Sequence, residues 1–165
     1  MNSLQENMQE FRTLLGKGVV QKAYLGLMQY MMALRTTFEK KYPAHSVTGL
    51  YQGYMDMTYF SITPKTLQDH KLKIALVFNY EAFRFEVWLA AFNKQVQTRY
   101  WTLIKESGWN RYPVVPSTKG YDAIIEHPLV DNPDFGNPDA LTAAIDAGVL
   151  TFTKDIETFL LDREN

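Results

Sequence analysis

The chain has 165 residues, of which 46 % are hydrophobic and 21 % charged, with 17 basic and 18 acidic residues and a net charge of −1. That length fits a single domain over residues 1–165, large enough to bury about 70 % of its unfolded surface without a disulfide or structural metal. A near-neutral charge supplies no basic stripe for phosphate neutralisation, so no nucleic-acid partner is expected; the absence of Cys excludes disulfides, thiol nucleophiles and thiolate zinc sites.

Met1-Asn2-Ser3-Leu4-Gln5-Glu6 has neither the basic start nor the apolar run of a signal peptide. No apolar stretch approaches the ~20 residues of a membrane span. A cytoplasmic location away from membranes is therefore expected. Ser3 and Glu6 have capping-box spacing, and Leu4, Met8, Phe11 and Leu15 follow at helical intervals until Gly16 and Gly18. A longer helix is expected from about Val20 to Lys41. Ala23, Leu27, Tyr30, Leu34 and Phe38 lie on one face, and Met28, Met31 and Met32 widen it. Tyr42-Pro43 ends it, because the residue before a proline is driven out of the α region.

The period then changes from 3.6 to 2. Tyr51 to Ile62 is aromatic and β-branched, and a strand is expected over Tyr54–Ile62. Leu72, Ile74, Leu76 and Phe78 alternate with Lys71, Lys73, Ala75 and Val77. After Asn79-Tyr80-Glu81-Ala82, Phe83, Phe85, Val87 and Leu89 alternate with Arg84, Glu86 and Trp88. So short a link makes the two runs an antiparallel hairpin. Asn93 caps a helix through about Ser107 that Gly108 stops. Residues 109–120 read as an ordered loop, and Tyr121–His127 as either a strand or a helical turn. Asp131 to Asp139 is turn chemistry. Pro138 then opens a helix expected to stop at Gly148, before a last amphipathic helix marked by Phe152, Ile156 and Phe159. The fold class is α+β: an antiparallel meander of three or more strands with N- and C-terminal helices packed mainly on one face.

The second face of that sheet holds the candidate chemistry. If Phe83, Phe85, Val87 and Leu89 meet the helices, Arg84, Glu86 and Trp88 turn the other way. Which face of strand 54–62 meets the helices is open, because both are mostly apolar. With Asp56 on the Arg84 side, one surface would combine two carboxylates, a guanidinium and aromatic rings. A few directional polar groups among aromatic walls suit a ligand cleft. The candidate ligand-binding residues are Gln52, Tyr54, Asp56, Arg84, Glu86 and Trp88, with Asn93 and Gln95 at the rim. Arg84 would hold an anionic group and Trp88 would stack. Set against this is a plain Arg84–Glu86 or Arg84–Asp56 ion pair on a solvated face.

Two alternatives stand beside the small-molecule binder. One is a metal-dependent hydrolase or nuclease using Asp56 and Glu86, with Asp69-His70-Lys71 as an acid-x-Lys triplet. The other is a homodimer formed through the aromatic sheet face. His45, His70 and His127 are isolated, so no zinc helix is apparent. Asp131, Pro133 and Phe135 fail the EF-hand pattern. No G-x-S-x-G occurs, and Gly49-Leu-Tyr-Gln-Gly53 lacks the lysine of a phosphate loop. No cofactor is expected.

Several stretches carry a resemblance: Gln21-Lys-Ala-Tyr-Leu-Gly-Leu-Met-Gln-Tyr-Met-Met32, Tyr51-Gln-Gly-Tyr-Met-Asp-Met-Thr-Tyr-Phe60, Phe83-Arg-Phe-Glu-Val-Trp-Leu89, Asn93-Lys-Gln-Val-Gln-Thr-Arg-Tyr-Trp101 and Val130-Asp-Asn-Pro-Asp-Phe135. Together they resemble a family of small uncharacterised bacterial proteins, a domain of unknown function, over nearly the whole chain. The resemblance implies one domain in a bacterial cytoplasm. It implies no activity and transfers no catalytic residue.

Overall fold

The computed structural model describes residues 1–164. Helix α1 spans Leu4–Gly16, where Ser3 and Glu6 close a reciprocal capping box (Glu6 N–H to Ser3 Oγ, 3.2 Å). Helix α2 spans Val19–Lys41 and stops at Tyr42, ahead of Pro43. Strands β1 (Ser46–Val47), β2 (Met57–Thr63), β3 (Leu72–Asn79), β4 (Arg84–Ala91) and β5 (Ala123–Asp131) form one five-stranded antiparallel sheet in the order β1-β2-β3-β4-β5. The short helix α3 (Lys65–Asp69) links β2 to β3. Helix α4 (Lys94–Ser107) is capped by Asn93, whose Oδ1 accepts the Val96 N–H at 2.9 Å, and ends on the left-handed Gly108. Helix α5 runs from Pro138 to Glu164.

The architecture is α+β, as the change of period implies. Register decides the face that the sequence left open. Phe60 pairs with Leu76, Leu76 with Val87, and Phe78 with Phe85. Thr58, Phe60 and Ile62 therefore share a face with Leu72, Ile74, Leu76 and Phe78, and with Phe85, Val87 and Leu89. Against this face pack Met31, Leu34 and Phe38 of α2 and Ile145, Phe152 and Ile156 of α5, all within one hydrophobic cluster. Six of the ten Phe are buried, including Phe38, Phe60, Phe78 and Phe85. Burying each of these side chains is worth about 1.5–3 kcal/mol.

Four expectations need correction. Strand β2 starts at Met57 rather than Tyr54, because Gly53 and Met55 adopt left-handed φ values of 74° and 61° and bend the chain before it. Phe83 belongs to the hairpin turn and not to β4; its φ is 51° and its ring is half exposed, edge-on to Phe78. Met32 is exposed, while Met28 and Met31 are buried. Gly148 does not stop a helix, since α5 runs unbroken through it. A Cβ there would lie 2.6 Å from Leu129 Cδ2, so this glycine is a notch for a β5 side chain. Residues 123–131 resolve the strand-or-turn choice in favour of a strand. Pro128 is tolerated because β5 is an edge strand and its register shifts between Phe85 and Glu86.

His127 of β5 points to the helix side, with its ring 4.7 Å from Tyr112 and 5.9 Å from Phe152. Burial holds its pKa below the ordinary histidine value, and burial does the same to His45. Because the folded state resists the proton, the unfolded chain takes it up first. This share of stability is complete above about pH 6.5 and is lost as the pH falls from there toward the folded-state pKa. Urea midpoints measured from pH 7.5 to 5 are expected to decline, and His127→Phe is expected to flatten the decline. An unchanged slope in the variant would remove His127 from this account.

Candidate functional site

The sheet's other face carries Met57, Tyr59 and Ser61 from β2, Lys73, Ala75, Val77 and Asn79 from β3, and Arg84, Glu86, Trp88 and Ala90 from β4. Glu126 of β5 lies opposite Trp88. Register sets Ala75 beside Trp88 and Lys73 beside Ala90. The two alanines form a low floor between larger neighbours. The result is a concavity of about 460 Å³ lined by Tyr59, Lys73, Ala75, Trp88 and Ala90, with Tyr51, Asn93, Lys94, Gln97, Tyr121 and Asp122 also along it. A second hollow of about 550 Å³ shares Tyr51, Tyr59 and Lys73 and continues past Ser61 and Thr63 to Gln68 and Phe92.

Glu86 organises this face. It is 1 % exposed, and both its carboxylate oxygens are occupied. Oε1 accepts from Arg84 Nε at 2.7 Å and from Asn79 Nδ2 at 3.3 Å, while Oε2 accepts from the Trp88 indole N–H at 2.7 Å. A buried carboxylate persists only when paired and hydrogen-bonded. Arg84 also approaches Asp131 at 3.6 Å. Its guanidinium is thus held by two carboxylates, and the indole of Trp88 is locked in one orientation. The Glu126 carboxyl is pushed above the usual carboxylate range by burial first and by the charges of Glu86 and Asp122 next, partly offset by Arg84.

At the rim, Gln97 donates to the carbonyls of Tyr121 (2.9 Å) and Ala123 (3.1 Å), pinning α4 to the start of β5. Lys94 Nζ donates to the carbonyls of Thr118 and Tyr121. The first turn of α4 therefore stands at the edge of the concavity with its positive dipole end. Lys73 differs from the other cations nearby. Arg84 is held by carboxylates and Lys94 by carbonyls, whereas Lys73, only partly exposed, has neither an ion-pair nor a side-chain hydrogen-bond partner among the described residues.

Of the residues that the sequence singles out, Trp88 and Asn93 line the concavity, and Glu86 lies buried beside Trp88. Arg84 is near the end of β4, engaged by Glu86 and Asp131. Gln52, Tyr54 and Asp56 belong to the loop before β2 and do not line it. Gln95 is exposed on the first turn of α4, and its neighbour on that helix, Gln97, lines the concavity instead. The expected surface joining Asp56 to Arg84 does not form. Asp56 lies outside the strand, on the parity that turns to the helix side. Its Oδ1 accepts the Tyr54 N–H at 2.9 Å, and backbone N–H groups of Tyr54 and then Met57 hold its pKa low. Gly53 is required in the same loop, because a Cβ there would sit 1.9 Å from the Met57 carbonyl oxygen.

The Asp69-His70-Lys71 triplet lies on the end of α3 and the turn after it, not on a strand. Asp69 pairs with Lys65 at 3.0 Å, and the two His70 nitrogens face Tyr100 Oη and Glu164, each at 2.8 Å. Glu126 and His127 leave β5 on opposite faces. Among the described residues no three His, Asp or Glu side chains converge as a metal site would need. Lys73, Tyr59 and Gln97 are the residues that sequence reasoning passed over. The available signal was Lys73, a charged residue inside an otherwise apolar strand and in phase with Arg84 once the hairpin is paired.

A family model described as a domain of unknown function, DUF7000, matches residues 4–160, and the chain belongs to that family. No curated protein and no solved structure shows significant similarity to it. No helix among the described residues is long and apolar enough to cross a membrane.

Removing one partner of a buried ion pair costs about 3–5 kcal/mol. Arg84 has 32 % of its side chain exposed, so solvent recovers part of that cost. Glu86→Ala is expected to lower unfolding stability by about 2–3 kcal/mol in urea titrations. It should also loosen Trp88, seen as a red shift in tryptophan emission. A loss below about 0.5 kcal/mol would mean that the carboxylate does not hold this face together.

Proposed function

We propose that the chain is a single-domain binding protein, over residues 1–165, for a small anionic molecule that carries a flat ring. One observation carries the reading: Lys73, with no ion-pair or side-chain hydrogen-bond partner among the described residues, lines the same concavity as Ala75, Ala90, Tyr59 and Trp88. An anionic group on the ligand would pair with the Lys73 ammonium, assisted by the N-terminal end of α4. The ring would lie against Trp88, whose orientation Glu86 fixes through the indole N–H. Asp122 at the rim would accept from a hydroxyl or amino group and so orient the ligand. Such a site matches the usual pattern of apolar walls with a few directed polar groups.

Arg84 is a support in this reading and not the anion receptor, since its donors already meet Glu86 and Asp131. A hydrolase built on Asp56 and Glu86 draws no support from the geometry. The Asp56 carboxylate is tied to its own loop, and Glu86 is enclosed by three donors. The sheet face is also less suited to a homodimer than its composition suggests, because it is indented and bears Lys73 and Lys94. A bacterial, cytoplasmic setting accompanies the proposal and rests on the family resemblance and composition.

The test is calorimetric titration with nucleoside monophosphates and aromatic carboxylates, alongside tryptophan quenching. Lys73→Met is expected to weaken binding by about 10- to 100-fold, the value of a charge-assisted hydrogen bond, with little change in thermal midpoint. Trp88→Phe should abolish the quenching while leaving Trp101 and Trp109 emission. Equal affinity in wild type and Lys73→Met would overturn the assignment.

A further inference from the structure

Helix α1 buries nothing. It contributes no buried residue, and Leu4, Met8, Phe11 and Leu14 are 78 %, 51 %, 41 % and 42 % exposed. An isolated helix of 13 residues is marginal in water, and an unpartnered apolar stripe makes it a surface seeking a partner. Beside the first half of α2 lies a groove of about 620 Å³, walled by Val20, Ala23, Tyr24, Leu27, Met55, Phe83 and Phe135. No residue of α1 lines it. Its walls are almost wholly apolar, and the left-handed turns at Met55 and Phe83 hold two of them toward the opening.

We infer that α1 of one copy fills this groove on a second copy of the chain, in a reciprocal helix exchange. The dimensions agree. Thirteen residues make about 20 Å of helix, and the α2 residues lining the groove, Val19 to Tyr30, extend about 17 Å at 1.5 Å per residue. The joint between α1 and α2 argues against filling the groove of the same copy. Gly18 N–H and Gln21 Nε2 both donate to the Leu15 carbonyl, at 3.0 and 2.9 Å, and Gly18 caps α2 with φ of 72°. These bonds set the direction in which α1 leaves α2, and that direction places no α1 side chain in the groove. Exchange between two copies keeps the joint as it is.

Four apolar side chains at roughly 60–120 Å² each give on the order of 400 Å² of helix surface. The groove offers a smaller surface than the helix, and doubling the contact by symmetry brings the interface to about 1,200 Å², the lower end of the range for specific complexes. A lipid surface is the less favoured partner, since α1 carries Glu6 and Glu10 against Arg12 and has no basic face.

Sedimentation velocity of the full chain from 1 to 100 μM is expected to show a species of twice the chain mass. Phe11→Glu on the helix and Ala23→Glu in the groove should each give a monomer with an unchanged near-ultraviolet dichroism spectrum; Met8→Lys replaces Phe11→Glu if that variant misfolds. Mixing the Phe11→Glu and Ala23→Glu chains should restore a weaker dimer through the one intact helix–groove contact. A wild-type monomer throughout the range would overturn the inference. So would a dimer insensitive to Ala23→Glu, which would signal α1 pairing with α1. Binding of a monomeric chain to phosphatidylglycerol-containing vesicles, lost in Phe11→Glu, would assign the helix to lipid instead.

Discussion

The alternation of β3 and β4 is the constraint on which the rest of this molecule depends. Each strand sends one set of residues to the helices and the other set to the open face. On one side Phe78 meets Phe85 and Leu76 meets Val87; on the other Asn79 meets Arg84 and Val77 meets Glu86. A slip of one residue would exchange the sets, placing Arg84 and Glu86 under α2 and α5. The aromatic pair Phe78–Phe85, with centroids 5.2 Å apart, therefore fixes more than the core. It determines that Glu86 and Trp88 are adjacent on the same face and can bond to each other.

That arrangement has a cost. Glu86 keeps a charge out of water, and replacing a buried ion pair with well-packed apolar groups is often neutral or stabilising. Stability alone is thus a weak reason for this carboxylate. Its three donors come from Asn79, Arg84 and Trp88, and one of them, the indole, lies in the wall of the concavity. A fixed ring orientation is useful where something stacks on the ring, because less side-chain entropy is lost on binding. Burial first, and the charge of Glu86 next, raise the pKa of the neighbouring Glu126, so the two carboxylates on this face are electrostatically coupled.

Local signals were legible because they act over three or four residues. The Ser3–Glu6 box, the stop at Tyr42-Pro43, the Asn93 cap and the Gly108 terminus all lie within a residue of where the sequence places them. What escaped depends on contacts between distant segments. Gly148 reads as a helix stop until Leu129 is seen to occupy the space of its missing Cβ. Asp56 reads as a sheet residue until its loop is seen to close on Gly53. The face of β2 was undecidable because Tyr59 and Met57 are as apolar as Phe60 and Ile62; only pairing with β3 assigns them. The candidate site was half legible for the same reason. Trp88 and Asn93 followed from the β4 alternation and a cap, whereas Lys73 needed the register that sets it beside Ala90.

The concavity itself arises from residue size and not from a gap between units. On a sheet face the side chains at paired positions are close neighbours, so two alanines among Tyr59, Lys73 and Trp88 leave a hollow without any break in the backbone ladder. A hollow made this way is carried by hydrogen-bonded strands, with α4 pinned at its rim through Gln97. It cannot collapse as a loop-lined pocket can, and its shape changes mainly through the rotamers of its walls. Glu86 removes that freedom from Trp88, which leaves the flexible stem of Lys73 as the part best able to adjust to an anion. Rigidity of floor and ring, with mobility confined to one cation, suits recognition of a ligand whose ring position is fixed and whose charged group varies in reach.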